Sequence, residues 1–475
     1  MKIKEFIKKH RYVLGFSFLL IGLSLFMMLL FQKESDYFWH VKAGEYMLKN
    51  GVLTKDVFSW FMNGKYWMSH EWAFDYLIAL LKNIFGSWHL FIYPFICTLA
   101  LLLILFFSNK NKYLKNIIFS LFWIIGFFIF CVYMQARPHL ISFVFVALTI
   151  WFLYDLFHNE NSKKIYFLPL VTVLWTNFHG GSSNLSYLLC FVFLIVGLFK
   201  FKFSKIEASR ISKKQIYKYL IVSLLCLIAI CINPHGIKMI SYPYLNIMDS
   251  TMVNFISEWQ PTVLGNVTHY PYFILVFFIV LVMLLSKDKI KFIDFILLGL
   301  CLFLGLKSIR FWGYTYILMS YVIFNYVPER KIDKGTTRIL FMLGSIFLVI
   351  FIANFNMLEK EYNETVISKK MIAVINKEKP ERIYNMYDYG GELIYNDILV
   401  FIDGRADLYS KYNLDDYSKI STLNGDYVEL IKKYDFDYFL VMNNYPINTY
   451  LKYSQEYEEV LNEKNMILYR KKDSN

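Results

Sequence analysis

The sequence predicts a mostly α, polytopic membrane protein of about eleven transmembrane helices with a small C-terminal α/β domain outside the membrane. Three observations lead there. Of the 475 residues, 57% are hydrophobic and 18% charged, against roughly a quarter charged in soluble domains. Several apolar runs are long enough to span about 30 Å of hydrocarbon at about 1.5 Å per residue. From residue 356 onward the chain turns charged and rich in Tyr and Asn, and no further run can span.

The spans are expected at roughly 13–31, 88–107, 116–134, 140–157, 165–178, 184–199, 219–232, 270–286, 292–306, 311–326 and 339–354. The stretch AFDYLIALLKNIFG reads as an interfacial helix entering the second span. Loop charge sets the orientation. Of the 50 Lys and Arg, 24 fall in the alternating short segments that begin with residues 1–12. By the positive-inside rule this puts the N-terminus in the cytoplasm and the C-terminal domain outside. Two domains are therefore expected: 1–355, a transmembrane body with a long first outer loop at 32–73, and 356–475, an extracytoplasmic α/β domain. In the latter, RIYNMYD, LVFIDGR, DYFLVMN and NMILYRK read as strands, and NETVISKKMIAVINKEK, LDDYSKISTLNGDYVELIKKY and NTYLKYSQEYEEVLN as helices.

The net charge of +13 lies in short loops such as KFKFSKIEASRISKK. Such a distribution excludes nucleic acid as the partner and points to anionic membrane lipids. All six cysteines lie in apolar runs without metal-ligand spacing, and read as small buried hydrophobes. The first apolar segment has a basic flank but no small-residue cleavage site, so it reads as a retained span.

Ionisable residues at span ends collect on the outer side: Asp36, His40, His70, Glu71, Arg137, His139, His179, His235, Glu258 and Arg310. Only His10 and His158 of nine histidines belong to the cytoplasmic side. Ionisable groups near membrane depth are expensive, and unrelated snorkelling would place them on both faces. Asp36, in SDYFWH, sits where a span meets the outer surface and can accept a proton from a hydroxyl. The aromatics around it also suit an interfacial belt. His70-Glu71 offers a second acid beside a histidine. ARPHL, NFHGG and INPHG each end a span with a histidine beside Pro or Gly, and FISEWQP carries Glu258 before Trp259. Such residues end helices in any case, but together they suggest a shared polar cavity. Arg310 in LKSIRFWGY can grip a phosphate through its guanidinium fork, or anchor a headgroup. Asp403, Arg405 and Asp407 in VFIDGRADLY read as an ion-pair network that fixes a loop.

The order DYFWHVKAGEYMLKNG, DVFSW, HEW, RPH, NFHGG, NPHG, EW resembles the GT-C superfamily of integral-membrane glycosyltransferases, and within it a bacterial multi-pass group. The likeness covers nearly the whole chain. It implies a GT-C-like membrane body, a polyprenyl-phosphate-linked sugar donor, and Asp36 in the place of the superfamily's first-loop acid, the catalytic or acceptor-positioning carboxylate. The chain has Glu34-Ser35-Asp36 rather than adjacent acids and lacks a WWD-type motif in its tail, which argues against protein N-glycosylation. The expected activity is transfer of a hexosyl or pentosyl group to an envelope glycan, lipid or protein acceptor at the plasma membrane. His40, His70, Glu71, Arg137, His139, His179, His235, Glu258 and Arg310 are the expected substrate-binding set. Clustered His and Asp permit a divalent metal ion without requiring one. The alternatives are a polymerase or ligase of lipid-linked polysaccharide, which would need basic outer loops, and a transporter or flippase, which would show internal symmetry and mid-depth charges.

Overall fold

The computed structural model describes residues 2–29, 35–130, 136–330, 334–358 and 365–472. Glu34 and the outer ends of the expected spans 13–31 and 116–134 lie outside them. The chain is a mostly helical, multi-pass membrane protein. It forms two compact units, each assembled from three stretches: 1–31, 91–243 and 256–358 in the first, and 32–90, 244–255 and 359–475 in the second. These units cut across the expected division at 355/356, because the first loop folds with the tail.

Six helical stretches among the described residues are long and apolar enough to cross a bilayer: His10–Met28, Trp72–Ser108, His139–His158, Gly180–Gly197, Val267–Leu285 and Gly335–Ala353. The other five expected positions hold Ile117–Phe130, Leu168–Phe178, Lys213–Ile230, Phe292–Lys307 and Trp312–Val322. An 11-residue helix such as Trp312–Val322 rises only about 16 Å, roughly half the hydrocarbon thickness. For 165–178 and 311–326 hydropathy overstated the length, because apolar residues continue into the 3-10 turns Lys164–Phe167 and Ile323–Asn325, where the α-helix is absent.

The first unit is the apolar body. Its core holds Trp175, Tyr219 and Tyr316, and the fully buried Asp294. That carboxylate accepts hydrogen bonds from Tyr154 (2.5 Å), Tyr326 (2.8 Å) and Asn325 (2.9 Å), so its burial is compensated. Ser212 and Gln215 form a reciprocal capping box that starts the helix Lys213–Ile230. A small sheet pairs β1 (Phe201–Phe203) antiparallel to β2 (Ile206–Ala208), and β2 parallel to β3 (Ile290–Lys291).

In the second unit the supposed loop begins with a 16-residue helix, Ser35–Asn50. It buries Tyr37, Phe38, Trp39, His40, Val41 and Met47. At Gly44 it runs so close to the helix Trp72–Phe85 that a Cβ would strike the Asp75 carbonyl. The tail adds a four-stranded sheet in the order β4 (Ile383–Asn385), β5 (Tyr438–Met442), β7 (Met466–Lys471), β6 (Tyr457–Glu463). The β4–β5 pair is parallel and the other two are antiparallel. Helices Lys369–Glu378, Leu414–Thr422, Tyr427–Tyr434 and Pro446–Tyr453 complete it. Two expectations change here. EYEEVLN is strand β6, held by β7, rather than the end of a helix. LVFIDGR makes only a single bridge, Val400 to Ser59 of the first loop, and Trp60 donates to the Ile383 carbonyl (3.0 Å).

Candidate active site

Asp36 lies in the first turn of the helix Ser35–Asn50. One turn on, the Trp39 indole donates to its Oδ1 at 3.2 Å. Two glycine-bearing tail segments close on this helix start. A Cβ at Gly404 would occupy the Asp36 carboxylate, and one at Gly391 would strike the Ser35 carbonyl, so backbone alone fits at both positions. Gly404 is fixed in turn by the Tyr387 hydroxyl, which donates to its carbonyl (3.1 Å), while Phe255 packs edge-on against the Tyr387 ring. Next to Tyr387, the Asp388 carboxyl is held above the usual carboxylate range, first by loss of solvent and then by the Asp36 charge, while its outer side stays exposed. The sequence pointed to Asp36; Asp388 and Gly404 came with no signal of their own beyond the YDYGG and IDGR turns.

A chain of titratable groups continues behind Trp39. The His40 ring lies against the Trp39 ring (centroids 3.6 Å apart), with Nδ1 2.5 Å from Asp75 Oδ1 and Nε2 3.9 Å from Glu71 Oε2. Glu71 Oε1 is 3.3 Å from His70 Nε2, and His70 Nδ1 is 4.0 Å from Asp407 Oδ2. Burial alone would lower the His70 pKa, but Glu71 and then Asp407 outweigh it and raise it to about 9. His70 is thus a cation at neutral pH, balancing two carboxylates. Four expected site residues, Asp36, His40, His70 and Glu71, therefore belong to one unit and adjoin one another. Asp75 was missed: a lone acid in AFDYLIALL marks the buried partner of His40. Asp407 turns to His70 and not, as expected, to Arg405. Arg405 is instead clasped by Asp403 and Asp56 with its side chain fully buried.

The first unit carries a second polar cluster. Arg137 precedes the helix His139–His158, Glu258 lies on the 3-10 turn Ser257–Trp259, and Arg310 on the 3-10 turn Ile309–Phe311. Arg137 Nη1 donates to Glu258 Oε1 at 2.7 Å, and Arg310 Nη1 lies 3.8 Å from Oε2. The Arg310 guanidinium also covers the Trp259 ring at 5.0 Å. Ser308 ties the two turns by donating to the Glu258 carbonyl (2.7 Å). Burial would raise the Glu258 pKa, but Arg137, Arg310 and then His139 bring it to about 2. Two guanidinium groups around one carboxylate leave a net positive charge. His179 has its own setting: its Nδ1 meets Ser142 Oγ (2.6 Å) and Ser182 Oγ (2.9 Å), both of which also accept from the Trp175 indole. His235 lies in the Asn233–Gly236 turn, where its backbone N–H donates to Asn233 Oδ1 (2.7 Å). Among the described residues no three His, Cys, Asp or Glu side chains are grouped to hold a metal ion.

No protein-family model matches the chain, and no curated protein matches it in sequence. Among solved structures it is similar to the crystal structure of the Archaeoglobus fulgidus oligosaccharyltransferase in the apo form, with 12% identity and a TM-score of 0.51. The match covers 92% of this chain and 70% of that one. At this identity what is shared is the fold, and the expected GT-C-like architecture is borne out at that level.

Proposed function

We propose that the protein is a GT-C-type glycosyltransferase that moves a sugar from a polyprenyl-phosphate-linked donor to a cell-envelope acceptor on the outer face of the plasma membrane. The observation that carries this reading is the setting of Asp36. A carboxylate held by Trp39 at a helix start is approached by glycine backbone, in a fold shared with an oligosaccharyltransferase. In the transfer, the acceptor hydroxyl oxygen forms a bond to the anomeric carbon as the bond from that carbon to the phosphate oxygen breaks. The hydroxyl proton passes to Asp36, and the phosphate departs as an anion without needing a proton. Such a base contributes about 10²–10⁴-fold. The departing anion is stabilised by fixed cations. Asp388, with its raised pKa, supports the same reading as a second carboxyl beside the base. The outward orientation rests on the Lys and Arg distribution of the loops. No step is assigned to a metal.

The test is Asp36→Asn in the native host, with lipid-linked sugars and envelope glycans profiled beside wild type and a deletion strain. The expected result is a variant made at wild-type level that matches the deletion, with a polyprenyl-linked sugar accumulating in both. Glycans unchanged in the variant and the deletion alike would overturn the reading.

A further inference from the structure

A cavity of about 390 Å³ lies within the first unit, and no residue of either cluster described above lines it. Its walls are the end of the helix His139–His158, strand β2 with the residues that follow it, and the start of the helix Phe292–Lys307. Ile211 and Phe292 make it apolar on one side, and Glu160, Glu207, Arg210 and Lys291 bring four charges to it. No two of them stand within salt-bridge distance of each other. Among the described residues Arg210, Glu160 and Glu207 have no salt-bridge partner, and Lys291 donates to a ring nitrogen of His158 (2.9 Å). His158 uses its other nitrogen on the Tyr154 carbonyl (2.9 Å), so it accepts from Lys291, whose ammonium has two further N–H donors.

The walls are built firmly. The Gln215 amide donates to the carbonyls of Leu156 (2.7 Å) and Phe157 (3.0 Å), and β2 and β3 pair Glu207 with Lys291 across the sheet. A preformed cleft of this size, with charged and polar groups set beside apolar ones, has the form of a small-ligand site. The four charges define the ligand. A guanidinium and an ammonium together suit a phosphate, and two carboxylates beside them need hydroxyl or ammonium donors. Many basic residues surround it in KFKFSKIEASRISKK and SKDKIK, which raises the local concentration of anions.

We infer that this cavity binds a phosphate ester that also carries a hydroxyl or ammonium group, with Arg210 and Lys291 on the phosphate and Glu160 and Glu207 on the donor group. The chemistry is shared by phospholipid headgroups and by soluble phosphate esters. Native mass spectrometry of the full chain in detergent separates them, with short-chain phosphatidylethanolamine and phosphatidylglycerol, glycerol 3-phosphate, and diacylglycerol as the phosphate-free control. The expected result is saturable one-to-one binding of a phosphate-bearing probe, weakened about tenfold or more by Arg210→Gln and by Lys291→Gln. Binding of the phospholipids alone assigns the site to the membrane; binding of glycerol 3-phosphate, with displacement of lipid, assigns it to a soluble ester. Arg210 is exposed, so Arg210→Gln leaves the fold intact even where Lys291→Gln does not. Diacylglycerol binding as tightly as the phospholipids, no probe binding, or Arg210→Gln binding like wild type would each overturn the inference. None of these outcomes bears on Asp36.

Discussion

Replacing Arg405 by methionine should unfold the second unit at a markedly lower temperature. The Arg405 side chain is fully buried, with Nε and Nη2 on Asp403 (2.8 and 2.6 Å) and Nη1 on Asp56 (2.6 Å). It also lies 4.8 Å from the Trp67 ring and 5.3 Å from the Phe58 ring. Methionine fills much of the volume but leaves two buried carboxylates without a counter-charge. Stranding a buried charge costs about 3–5 kcal/mol, and the lost ring contacts add about 1 kcal/mol. At roughly 2–4 °C per kcal/mol for a unit of this size, the melting temperature should fall by about 10 °C or more.

Thermal unfolding of the purified chain, followed by protease sensitivity of the 365–472 region, measures this. Arg405→Met combined with Asp56→Asn and Asp403→Asn should recover most of the loss, because no charge is then stranded. The pH dependence carries the sign. In the wild type, burial would raise the Asp56 pKa, but Arg405 and Ser59 bring it below the usual value. A depressed folded pKa gives stability that is present above about pH 4 and is lost as pH falls through the folded value. In Arg405→Met the stranded carboxyls have raised pKa values instead, so the deficit of the variant should narrow as pH falls. A single variant within 1 kcal/mol of wild type, by the ~1 kcal/mol scale of ordinary substitutions, would refute the reasoning. So would a triple variant no more stable than the single, since the loss would then come from packing.

Gly404→Ala should reduce transfer to the level of Asp36→Asn, because its Cβ takes the place of the Asp36 carboxylate, at a stability cost of about 1–3 kcal/mol; retained glycan synthesis would show that Asp36 works from another position. His70, with a folded pKa of about 9 against about 6.5 unfolded, contributes stability that is complete below about pH 6.5 and lost as pH rises through 9. In His70→Gln the melting temperature should lose that decline, and an unchanged profile would refute the pairing with Glu71 and Asp407. Glu258→Gln should cost about 1–3 kcal/mol by stranding Arg137 at 2.7 Å, whereas Arg310→Ala should cost under about 1 kcal/mol, as Arg310 is 3.8 Å away and 30% exposed. The opposite order in melting temperatures would show that Arg310 is the main partner of Glu258.

Helices such as His139–His158 and Tyr270–Leu285 were legible because each is one unbroken apolar run, and bilayer thickness fixes what such a run means. The helix Ser35–Asn50 was not, since SDYFWHVKAGEYMLKN mixes polar and aromatic residues and its apolar face is defined only by what packs on it. Strand β6 escaped for a related reason: EYEEVLN has helix-forming acids, and its partner β7 overrides that preference. Site residues followed the same division. Asp36, His40, His70 and Glu71 could be singled out by chemical type, and their proximity follows partly from nearness in the chain. Asp388, Gly404 and Asp407 lie more than three hundred residues later, and no local pattern announces that the first two return to Asp36 and the third to His70. Asp56, the distant partner of Arg405, was hidden for the same reason.

The bond between Asp56 and Arg405 joins residues 349 positions apart in the chain. At about 5–20 residues per second of synthesis, Asp56 exists for roughly 17–70 s before its partner has been made. Throughout that interval the first-loop helix and its acids have no finished core, and every membrane helix must be threaded first. The second unit therefore closes only as the last act of biogenesis. A chain cut short before residue 403 keeps its spans and yet lacks Gly404 and Arg405, the tail residues that close on Asp36 and Asp56.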